Sequence, residues 1–383
     1  MIWYALAAAH ASLIALYLYG WIRAPRAPYP APAYTPDASL SVVVPARNEQ
    51  ACIGACLQSL LACDYPPDLL EIIVVDDHSD DDTARIVSGY LERADGPALR
   101  LLKLQEERPQ GHGQAFKKKA LALGIERARG ELVITTDADC VFGRHWLRFL
   151  AFHWKRSGAK ALAAPVLIQA PQGVLGHFQA LDLLGLMGVT GGGYALGWHA
   201  LGNGANLAFA KTAFEEVGGY ADNEHRASGD DIFLLQKIAG RYPDGIFFVK
   251  NAAAAAETHP LPDWLSLQNQ RLRWGGKNAA VKSRPMQAAL LVVWLHSVAT
   301  CAAWAWVGAW AWGVGAESGA WVLPAEKALA DGVFLATLAV FFRKKQWLWR
   351  FPIAVLIHPF FTAWTGLLSL VVRDYVWKGR RVR

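Results

Sequence analysis

The chain has 383 residues, of which 54% are hydrophobic and 18% charged, and its formal net charge is +6. This composition is too apolar and too lightly charged for an ordinary soluble protein. The apolar excess lies in residues 1–22 and 287–372, whereas 40–280 has an ordinary globular composition and can form one large domain. Basic residues flank the apolar blocks, which indicates an anionic membrane surface as partner and no nucleic acid.

The first apolar block predicts a membrane anchor. Met1 to Ile22 contains no Asp, Glu, Lys or Arg and matches one bilayer crossing in length. A signal peptide would begin with basic residues and end in a small-residue cleavage site, whereas here Arg23 and Arg26 follow the span. We therefore predict a retained anchor, a cytoplasmic domain after it and a stiff, proline-rich linker over 23–39.

Strand and helix patterns alternate after the linker. Apolar runs predict strands over 40–44, 70–75, 99–104 and 131–136, and the segments between them predict helices over 49–61, 83–93 and 117–128. This alternation predicts an α/β fold with a mainly parallel sheet. Ligands of such sheets bind beyond the carboxyl ends of the strands.

Acidic residues follow two of the predicted strands. Asp76 and Asp77 come at the end of one, and Asp137-Ala-Asp139 follows another. Residues i and i+2 of an extended segment point the same way, so Asp137 and Asp139 offer two carboxylates to Mg²⁺ or Mn²⁺. The alternatives are a solvated turn for Asp137-Ala-Asp139 and a helix-start cluster for Asp76 and Asp77, although residues 80–82 suit that start better.

Two further segments predict contacts with a nucleotide. Arg47 and Glu49 follow the first strand and either line a nucleotide pocket or form a capped turn. Lys117 to Lys119 begin a predicted helix, where cations oppose the helix dipole. This placement indicates that one of the three neutralises bound phosphate, while a solvated face explains the others.

Two later motifs predict the chemical step. Asp230-Asp231 precedes an amphipathic helix over 232–239, and it either caps that helix or supplies a general base, for which we choose Asp231. Gln270-Arg-Leu-Arg-Trp274 lies on a polar helix, where Arg273 suits a diphosphate and Trp274 a sugar face or an aliphatic group. A positive-inside flank is the alternative explanation of these arginines.

The five cysteines predict no metal site. Cys52 and Cys56 lie four residues apart on a predicted helix, but no second His/Cys pair has the spacing of a zinc site. We expect reduced core residues, as in a cytoplasmic domain.

These motifs, in this order, resemble the large inverting glycosyltransferase family 2, which has the nucleotide-diphosphosugar (GT-A) fold. The resemblance covers about residues 40–280. It rests on Val44-Pro-Ala-Arg-Asn-Glu49, Val75-Asp-Asp-His-Ser79, Thr136-Asp-Ala-Asp139, Gly202-Asn-Gly-Ala-Asn206, Ser228-Gly-Asp-Asp231 and Gln270 to Trp274. Asp230 stands where many relatives have Glu, so the charge is kept.

The resemblance implies a donor site for a UDP-sugar, a site for Mg²⁺ or Mn²⁺, a catalytic group, and an acceptor and diphosphate site. The implied donor residues are Pro45, Arg47, Glu49, Asp76, Asp77, Lys117 and Asp137; the metal ligands are Asp139 and Asp137; the catalytic group is Asp231, Asp230 and Arg273; and the acceptor and diphosphate residues are Asn206, Gln270, Arg271, Arg273 and Trp274.

The C-terminal block predicts further membrane helices. Residues 287–314 can cross once, 333–342 form a shorter core, and 347–372 can cross but contain Pro359. A third crossing would put the basic tail 373–383 outside the cell, against the positive-inside rule. We therefore expect a re-entrant or interfacial hairpin broken near Pro359, and a cytoplasmic tail.

The predicted domains are an anchor over 1–22, a linker over 23–39, a catalytic domain over 40–284, transmembrane or re-entrant helices over 285–372 and a basic tail over 373–383. Together with the resemblance, they imply a multi-pass enzyme of the inner cell membrane that glycosylates the hydroxyl of a lipid or glycolipid acceptor. Val376-Trp-Lys-Gly-Arg380 is similar to the ends of ceramide-glucosyltransferase-like enzymes.

Two alternatives remain for the function. A processive polysaccharide synthase is one, although its translocation pore usually needs more crossings than this chain predicts. A non-catalytic membrane scaffold or sugar-nucleotide sensor is the other, and the intact motif residues Asp137, Asp139, Asp231 and Arg273 argue against it.

Overall fold

The computed structural model describes residues 1–91, 96–107, 116–221, 229–278, 283–311, 319–372, 375–377 and 380–382. The chain forms two compact units. The helical unit comprises Met1–Ala24, Ala170–His199 and Pro260–Tyr375, and the α/β unit comprises Pro25–Gln169, Ala200–His259 and Val376–Arg383. The segment 40–284, which the sequence predicts as one domain, therefore contributes to both units.

Helices and strands alternate along much of the chain. The helices are α1 (Ile2–Arg23), α2 (Ile53–Leu61), α3 (Thr83–Leu91), α4 (Leu104–Glu107), α5 (Phe116–Arg127), α6 (Trp146–Ser157), α7 (Gly173–Ala195), α8 (Lys211–Glu216), α9 (Asp230–Arg241), α10 (Trp264–Asn278), α11 (Arg284–Ala311), α12 (Val322–Phe341) and α13 (Phe351–Val371). The strands are β1 (Leu40–Ala46), β2 (Leu70–Asp76), β3 (Ala98–Lys103), β4 (Leu132–Thr135), β5 (Cys140–Phe142), β6 (Ala161–Ala163), β7 (Val166–Ile168), β8 (Leu207–Ala210), β9 (Ile246–Phe248), β10 (Ala256–Thr258), β11 (Tyr375–Trp377) and β12 (Arg380–Val382). Short 3₁₀ turns cover Pro67–Leu69, Gly204–Asn206, Ala252–Ala254 and Lys345–Arg350.

A mainly parallel sheet forms the centre of the α/β unit, as the sequence predicts. Its strand order in the described chain is β3-β2-β1-β4-β8-β6-β9. The pairs from β3 to β4 are parallel, and only β8 runs antiparallel to both of its neighbours. β2 is buried along its whole length, which explains its almost unbroken apolar sequence. A second sheet has the order β5-β10-β7, and β11 and β12 form a third.

The strands and helices predicted between residues 40 and 136 are present with shifted boundaries. The largest shift concerns α2, which is predicted from residue 49 and begins at Ile53. The backbone N–H of Glu49 donates to Thr83 Oγ1 at 2.7 Å, and that of Gln50 donates to Asp81 Oδ2 at 3.1 Å. These hydrogen bonds to the first residue of α3 and to the loop before it fix Glu49 and Gln50 outside α2.

In the proline-rich segment predicted as a linker over 23–39, Arg23 ends α1, residues 25–31 and 34–39 have no regular secondary structure, and the chain is bound along α6. His153 Nε2 lies 3.0 Å from the Pro28 carbonyl oxygen. The Arg148 guanidinium donates to the Tyr34 carbonyl oxygen and also stacks over the Tyr34 ring at 5.6 Å from its centroid. The part of the segment after Ala24 therefore belongs to the α/β unit.

Small residues let helices approach closely in the helical unit. A Cβ added to Gly20 of α1 would lie 2.5 Å from the Gly192 carbonyl oxygen of α7, and one added to Gly192 would lie 2.4 Å from the Tyr17 carbonyl oxygen. Such backbone contacts are typical of helices packed in membranes. Helix α7 lies inside the segment predicted as catalytic and is not among the predicted helices.

Three stretches of the described chain are long and apolar enough to cross a membrane, namely Ile2–Arg23, Arg284–Trp306 and Lys345–Val371. The first two agree with the predicted anchor and the first C-terminal crossing. The predicted break near Pro359 is wrong, because α13 continues through this residue. Apolar helices tolerate an internal proline where neighbouring groups satisfy the carbonyl that it leaves unpaired.

The packing of α5 on the sheet leads to a test of core packing. A Cβ on Gly124 would lie 2.4 Å from Val43 Cγ1 and 3.1 Å from Val75 Cγ2, and both valines are fully buried. Gly124→Ala should therefore lower the free energy of unfolding by about 1–3 kcal/mol, as overpacked cores do. Thermal melting of the detergent-solubilised protein measures this change.

The matched control for this substitution is Gly89→Ala in α3, where an added Cβ meets no atom within 4 Å. It should leave the melting temperature unchanged or raise it, because alanine favours a helix over glycine. Equal effects of the two substitutions would contradict the packing described for α5.

Candidate functional site

Asp76 ends β2 at the carboxyl edge of the sheet. The residue is only 2% exposed, and its register partner on β1 is Ala46. The Ser79 backbone N–H donates to Asp76 Oδ1 at 3.3 Å. Burial raises the pKa of the Asp76 carboxyl, because few waters solvate its charge. A ligand with an N–H or O–H donor at this edge would therefore stabilise the carboxylate.

The loops after β1 and β2 are tied to each other at the same edge. Arg47 Nη1 donates to the carbonyl oxygens of Asp77 at 2.7 Å and of His78 at 2.6 Å. Asn48 and His78 have positive φ angles, 50° and 56°, which non-glycine residues rarely adopt. Arg47 thus shapes the loop that follows Asp76, which is a positioning role.

Lys117 joins acidic residues from distant parts of the chain. Its Nζ lies 2.5 Å from Asp137 Oδ1, in the segment after β4, and 4.0 Å from Asp230 Oδ2 at the start of α9. The side chains of Lys117 and Asp230 are 16% and 10% exposed, and that of Asp137 is 34% exposed. The fold therefore places two carboxylates around one ammonium group, with Asp137 open to solvent.

Asp231 lies beside this ammonium cluster, in the first turn of α9. Gly229, with φ 88°, precedes the helix, so Asp230 and Asp231 are its first residues rather than its cap. The Gly204 N–H donates to Asp231 Oδ2 at 3.2 Å, and the Ile232 N–H donates to Oδ1 at 2.8 Å. These amides fix the carboxylate, and a helix start favours negative charge.

The chemistry around Asp137 and Asp139 fits a hard divalent cation. Cys140 Sγ lies 3.7 Å from Asp139 Oδ1, and Cys56 Sγ lies 3.9 Å from the Asp137 carbonyl oxygen. Burial, helped by the two carboxylates, raises the pKa of both thiols, so the sulfur atoms stay protonated. The ligands on offer are carboxylate oxygens, which suit Mg²⁺ or Mn²⁺. None of the five cysteines forms a disulfide in this structure, and their reduced state stays a prediction.

Asn206 lies in the core, where it links three segments. The residue is fully buried, and its Nδ2 donates to the carbonyl oxygens of Pro165 at 2.7 Å and Ala254 at 2.8 Å. Its Oδ1 accepts from Trp146 Nε1 at 3.1 Å. Both amide hydrogens are used, so these contacts favour a positioning role over the predicted contact with acceptor or diphosphate.

The Gln270–Trp274 motif lies on α10 in the helical unit, and its two arginines differ. Arg271 forms an ion pair with Asp182 of α7, donates to Gln270 Oε1 at 2.8 Å and stacks over the Trp274 ring at 4.1 Å. Arg273 is half-buried and makes no hydrogen bond or ion pair with any residue that the structure describes. Arg271 is therefore a positioning residue, and Arg273 is the arginine available to an anion.

The predicted site residues divide between the two units, and Ser228 lies outside the described residues. The α/β unit holds Pro45, Arg47, Glu49, Asp76, Asp77, Lys117, Asp137, Asp139, Asn206, Asp230 and Asp231, and the helical unit holds Gln270, Arg271, Arg273 and Trp274. Asp182 is missing from the predicted residues, although an acidic residue in an otherwise apolar helix is a recognisable signal.

Residues 41–177 match the family model described as Glycosyl transferase family 2. Over 247 residues the chain is 28% identical to the Probable glycosyltransferase YdaM of Bacillus subtilis (strain 168), a match that covers 63% of this chain and 56% of that protein. Over 106 residues it is 39% identical to the Dolichyl-phosphate beta-glucosyltransferase of Dictyostelium discoideum, covering 26% of this chain and 30% of that one. The chain thus spans about half or less of these curated relatives.

Among solved structures, the chain is similar to the Mannosyltransferase PcManGT from Pyrobaculum calidifontis in complex with GDP-Man and Mn²⁺. The TM-score is 0.61, the identity is 23%, and the match covers 93% of this chain and 98% of that one. At this identity the likeness establishes the fold alone, and it confirms the predicted GT-A fold.

The position of Asn206 leads to a test of its role. Asn206→Ala would leave the Pro165 and Ala254 carbonyl oxygens and the Trp146 indole N–H without their partner. Because each buried group left unpaired costs about 1–3 kcal/mol, chemical denaturation should show a large loss of stability. Asn203→Ala removes one contact, the acceptance from the Ala205 N–H at 3.1 Å, and should cost far less. A stable Asn206→Ala protein with weakened ligand binding would contradict the positioning role.

Proposed function

Since residues 41–177 form a glycosyl transferase family 2 domain, we propose that this protein transfers a sugar from a nucleotide-sugar to a membrane lipid, with inversion at the anomeric carbon. The observation that carries the proposal is the convergence of Asp137 and Asp230 on Lys117, with Asp231 fixed beside them. In this arrangement Lys117 and Asp137 offer charged groups to the nucleotide-sugar, and Asp231 offers a separate carboxylate to the acceptor.

The donor is held, in this proposal, at the carboxyl edge of the sheet. Asp76 accepts a hydrogen bond from the nucleoside of a UDP-sugar, and Arg47 keeps the loop beside it in place. Asp137 and Asp139 bind Mg²⁺ or Mn²⁺, and Lys117 faces the donor phosphates. When bound, the cation supplies Lewis-acid stabilisation of the leaving diphosphate.

Asp231 acts as the general base. Its carboxylate, oriented by the Gly204 and Ile232 amides, accepts the proton of an acceptor hydroxyl. The hydroxyl oxygen then attacks the anomeric carbon from the face opposite the diphosphate, so the configuration inverts. Arg273 binds the departing diphosphate through its planar guanidinium.

The acceptor is a lipid, because three helical stretches of the described chain are long and apolar enough to cross a membrane. We place the enzyme in the cell membrane with the α/β unit in the cytoplasm, because Arg23 and Arg26 follow the first stretch. A lipid phosphate is the second candidate acceptor, since one of the relatives described above is named a dolichyl-phosphate glucosyltransferase.

The role of Asp231 distinguishes the two acceptor chemistries. A hydroxyl must lose its proton to a base, whereas a phosphate monoester, with a second pKa of about 6, is already ionised at neutral pH. Asp231→Asn should therefore lower kcat about 10²–10⁴-fold with a hydroxyl-bearing lipid, as loss of general-base catalysis does. Binding of the UDP-sugar, measured by calorimetry, should change little.

The control is Asp244→Asn, at an exposed position of the same unit, which should keep full activity. Mass spectrometry of the products follows transfer to hydroxyl-bearing lipids and to polyprenyl phosphate in parallel. Unchanged turnover of Asp231→Asn with the hydroxyl acceptor would refute the base, and turnover with polyprenyl phosphate alone would assign the second candidate.

The two arginines of α10 lead to a separate test. Arg273→Met should lower kcat about 10²–10³-fold, as loss of a charge-stabilising donor does, with a nearly unchanged melting temperature. Arg271→Met should lower the melting temperature instead, because it leaves Asp182 without its cation in a setting where an unpaired charge costs about 3–5 kcal/mol. A lower melting temperature for Arg273→Met together with a lower kcat for Arg271→Met would contradict these assignments and exchange the roles of the two arginines.

A further inference from the structure

A second cluster of ionisable side chains lies inside the helical unit. It comprises His10 of α1, His296 of α11 and Glu326 of α12. His10 Nδ1 lies 2.9 Å from Glu326 Oε1, and His296 Nε2 lies 2.8 Å from Glu326 Oε2. The imidazole rings stack with their centroids 4.1 Å apart. Two imidazole groups thus face the two oxygens of one carboxylate.

The cluster is buried where charge is costly. His10 is 1% exposed, His296 is fully buried and the Glu326 side chain is 13% exposed. Two of the three helices, α1 and α11, contain stretches that are apolar enough to cross a membrane. Ionisable residues in such helices are rare, face the interior of the helix bundle and mark functional sites. The proposed transfer reaction uses none of these three residues.

The two ring nitrogens of His296 face different polar groups. Thr300 Oγ1 donates its hydrogen to the His296 carbonyl oxygen at 2.8 Å, and it also lies 3.4 Å from His296 Nδ1. Nδ1 of His296 thus faces a hydroxyl group, and Nε2 faces the Glu326 carboxylate at 2.8 Å. A neutral imidazole has one N–H and one lone pair, so either a proton or a metal ion can lie between Nε2 and Glu326 Oε2.

His10 has the same arrangement. Its outer nitrogen, Nε2, lies 3.7 Å from Asp331 Oδ1, while Nδ1 faces Glu326. Carboxylates that face the outer ring nitrogen are common around metal-binding histidines, because they fix the ring and its tautomer. Lys327, the cation next to Glu326 in sequence, forms an ion pair with Asp331 at 2.6 Å, so its charge is compensated within the cluster.

We propose that His10 Nδ1, His296 Nε2 and one oxygen of Glu326 bind a Zn²⁺ ion. The three ligand atoms all lie within 4.8 Å of one another. A tetrahedral zinc ion with bonds of about 2.0–2.1 Å holds its ligand atoms about 3.4 Å apart, which small side-chain rotations reach here. Imidazole and carboxylate ligands suit zinc, and a water molecule fills the fourth position.

The ion would join α1, α11 and α12, since each contributes one ligand. It differs in chemistry from the proposed cation at Asp137 and Asp139, where only oxygen ligands are offered and Mg²⁺ or Mn²⁺ fits. The zinc site is independent of the proposed transfer reaction, so the two proposals are tested by separate experiments.

The test uses the full chain purified in detergent, with Asp139→Asn in every sample to remove the other cation site. After zinc loading and dialysis, elemental analysis should find one zinc ion per chain. Adding His10→Ala and His296→Ala should abolish this zinc, whereas adding His177→Ala, a half-buried histidine of α7, should not. A zinc chelator should lower the melting temperature of the Asp139→Asn protein.

Loading with Co²⁺ provides a second measurement, for which none of the three proposed ligand residues is substituted. Cobalt in place of zinc should give the visible absorption of a four-coordinate ion, and one equivalent of Zn²⁺ should remove it. The proposal would be overturned if no zinc were bound, if zinc were retained after both histidines were replaced, or if the chelator left the melting temperature unchanged. Without bound zinc, the two imidazoles would share protons with Glu326 instead.

Discussion

The Lys117 ammonium, held between Asp137 and Asp230, is the interaction on which the site depends. Two carboxylates brought together in a partly buried position repel each other, and a cation between them offsets that repulsion. The ammonium therefore fixes the segment after β4 against the start of α9. Asp231 is the next residue of that helix, and the Gly204 N–H holds its carboxylate in position by a hydrogen bond. Asp137, which we propose for the donor, and Asp231, which we propose for the acceptor, are therefore held close together by this one charge.

Much of the α/β unit could be predicted from the sequence because its causes are local. The apolar runs of β1 and β2 and the apolar residues of α5 each reveal burial within a few residues. Asp76 and Asp137 could be placed at one edge because parallel strands share the direction of their carboxyl ends. The alternation predicts only the α/β class, and the GT-A fold is what the resemblance of the motifs to glycosyltransferase family 2 implies.

What could not be predicted depends on partners that are far apart in the chain. The sequence predicts that Asn206 contacts the ligand, whereas in the structure its amide group is hydrogen-bonded to Pro165, Ala254 and Trp146. No local pattern separates Arg271 from Arg273, because the difference is the Asp182 carboxylate of α7. The break expected at Pro359 failed for a similar reason, since packing of neighbouring helices outweighs a residue's own preference for ending a helix.

The central claim is sugar transfer to a lipid, and a product assay tests it most directly. The detergent-solubilised protein would be incubated with Mn²⁺, a panel of labelled nucleotide-sugars and a lipid extract, and the lipids analysed by mass spectrometry. We predict one lipid species heavier by a single sugar residue, formed from a UDP-sugar and absent when Mn²⁺ is chelated. Release of free sugar alone, or no reaction with any nucleotide-sugar, would contradict the claim.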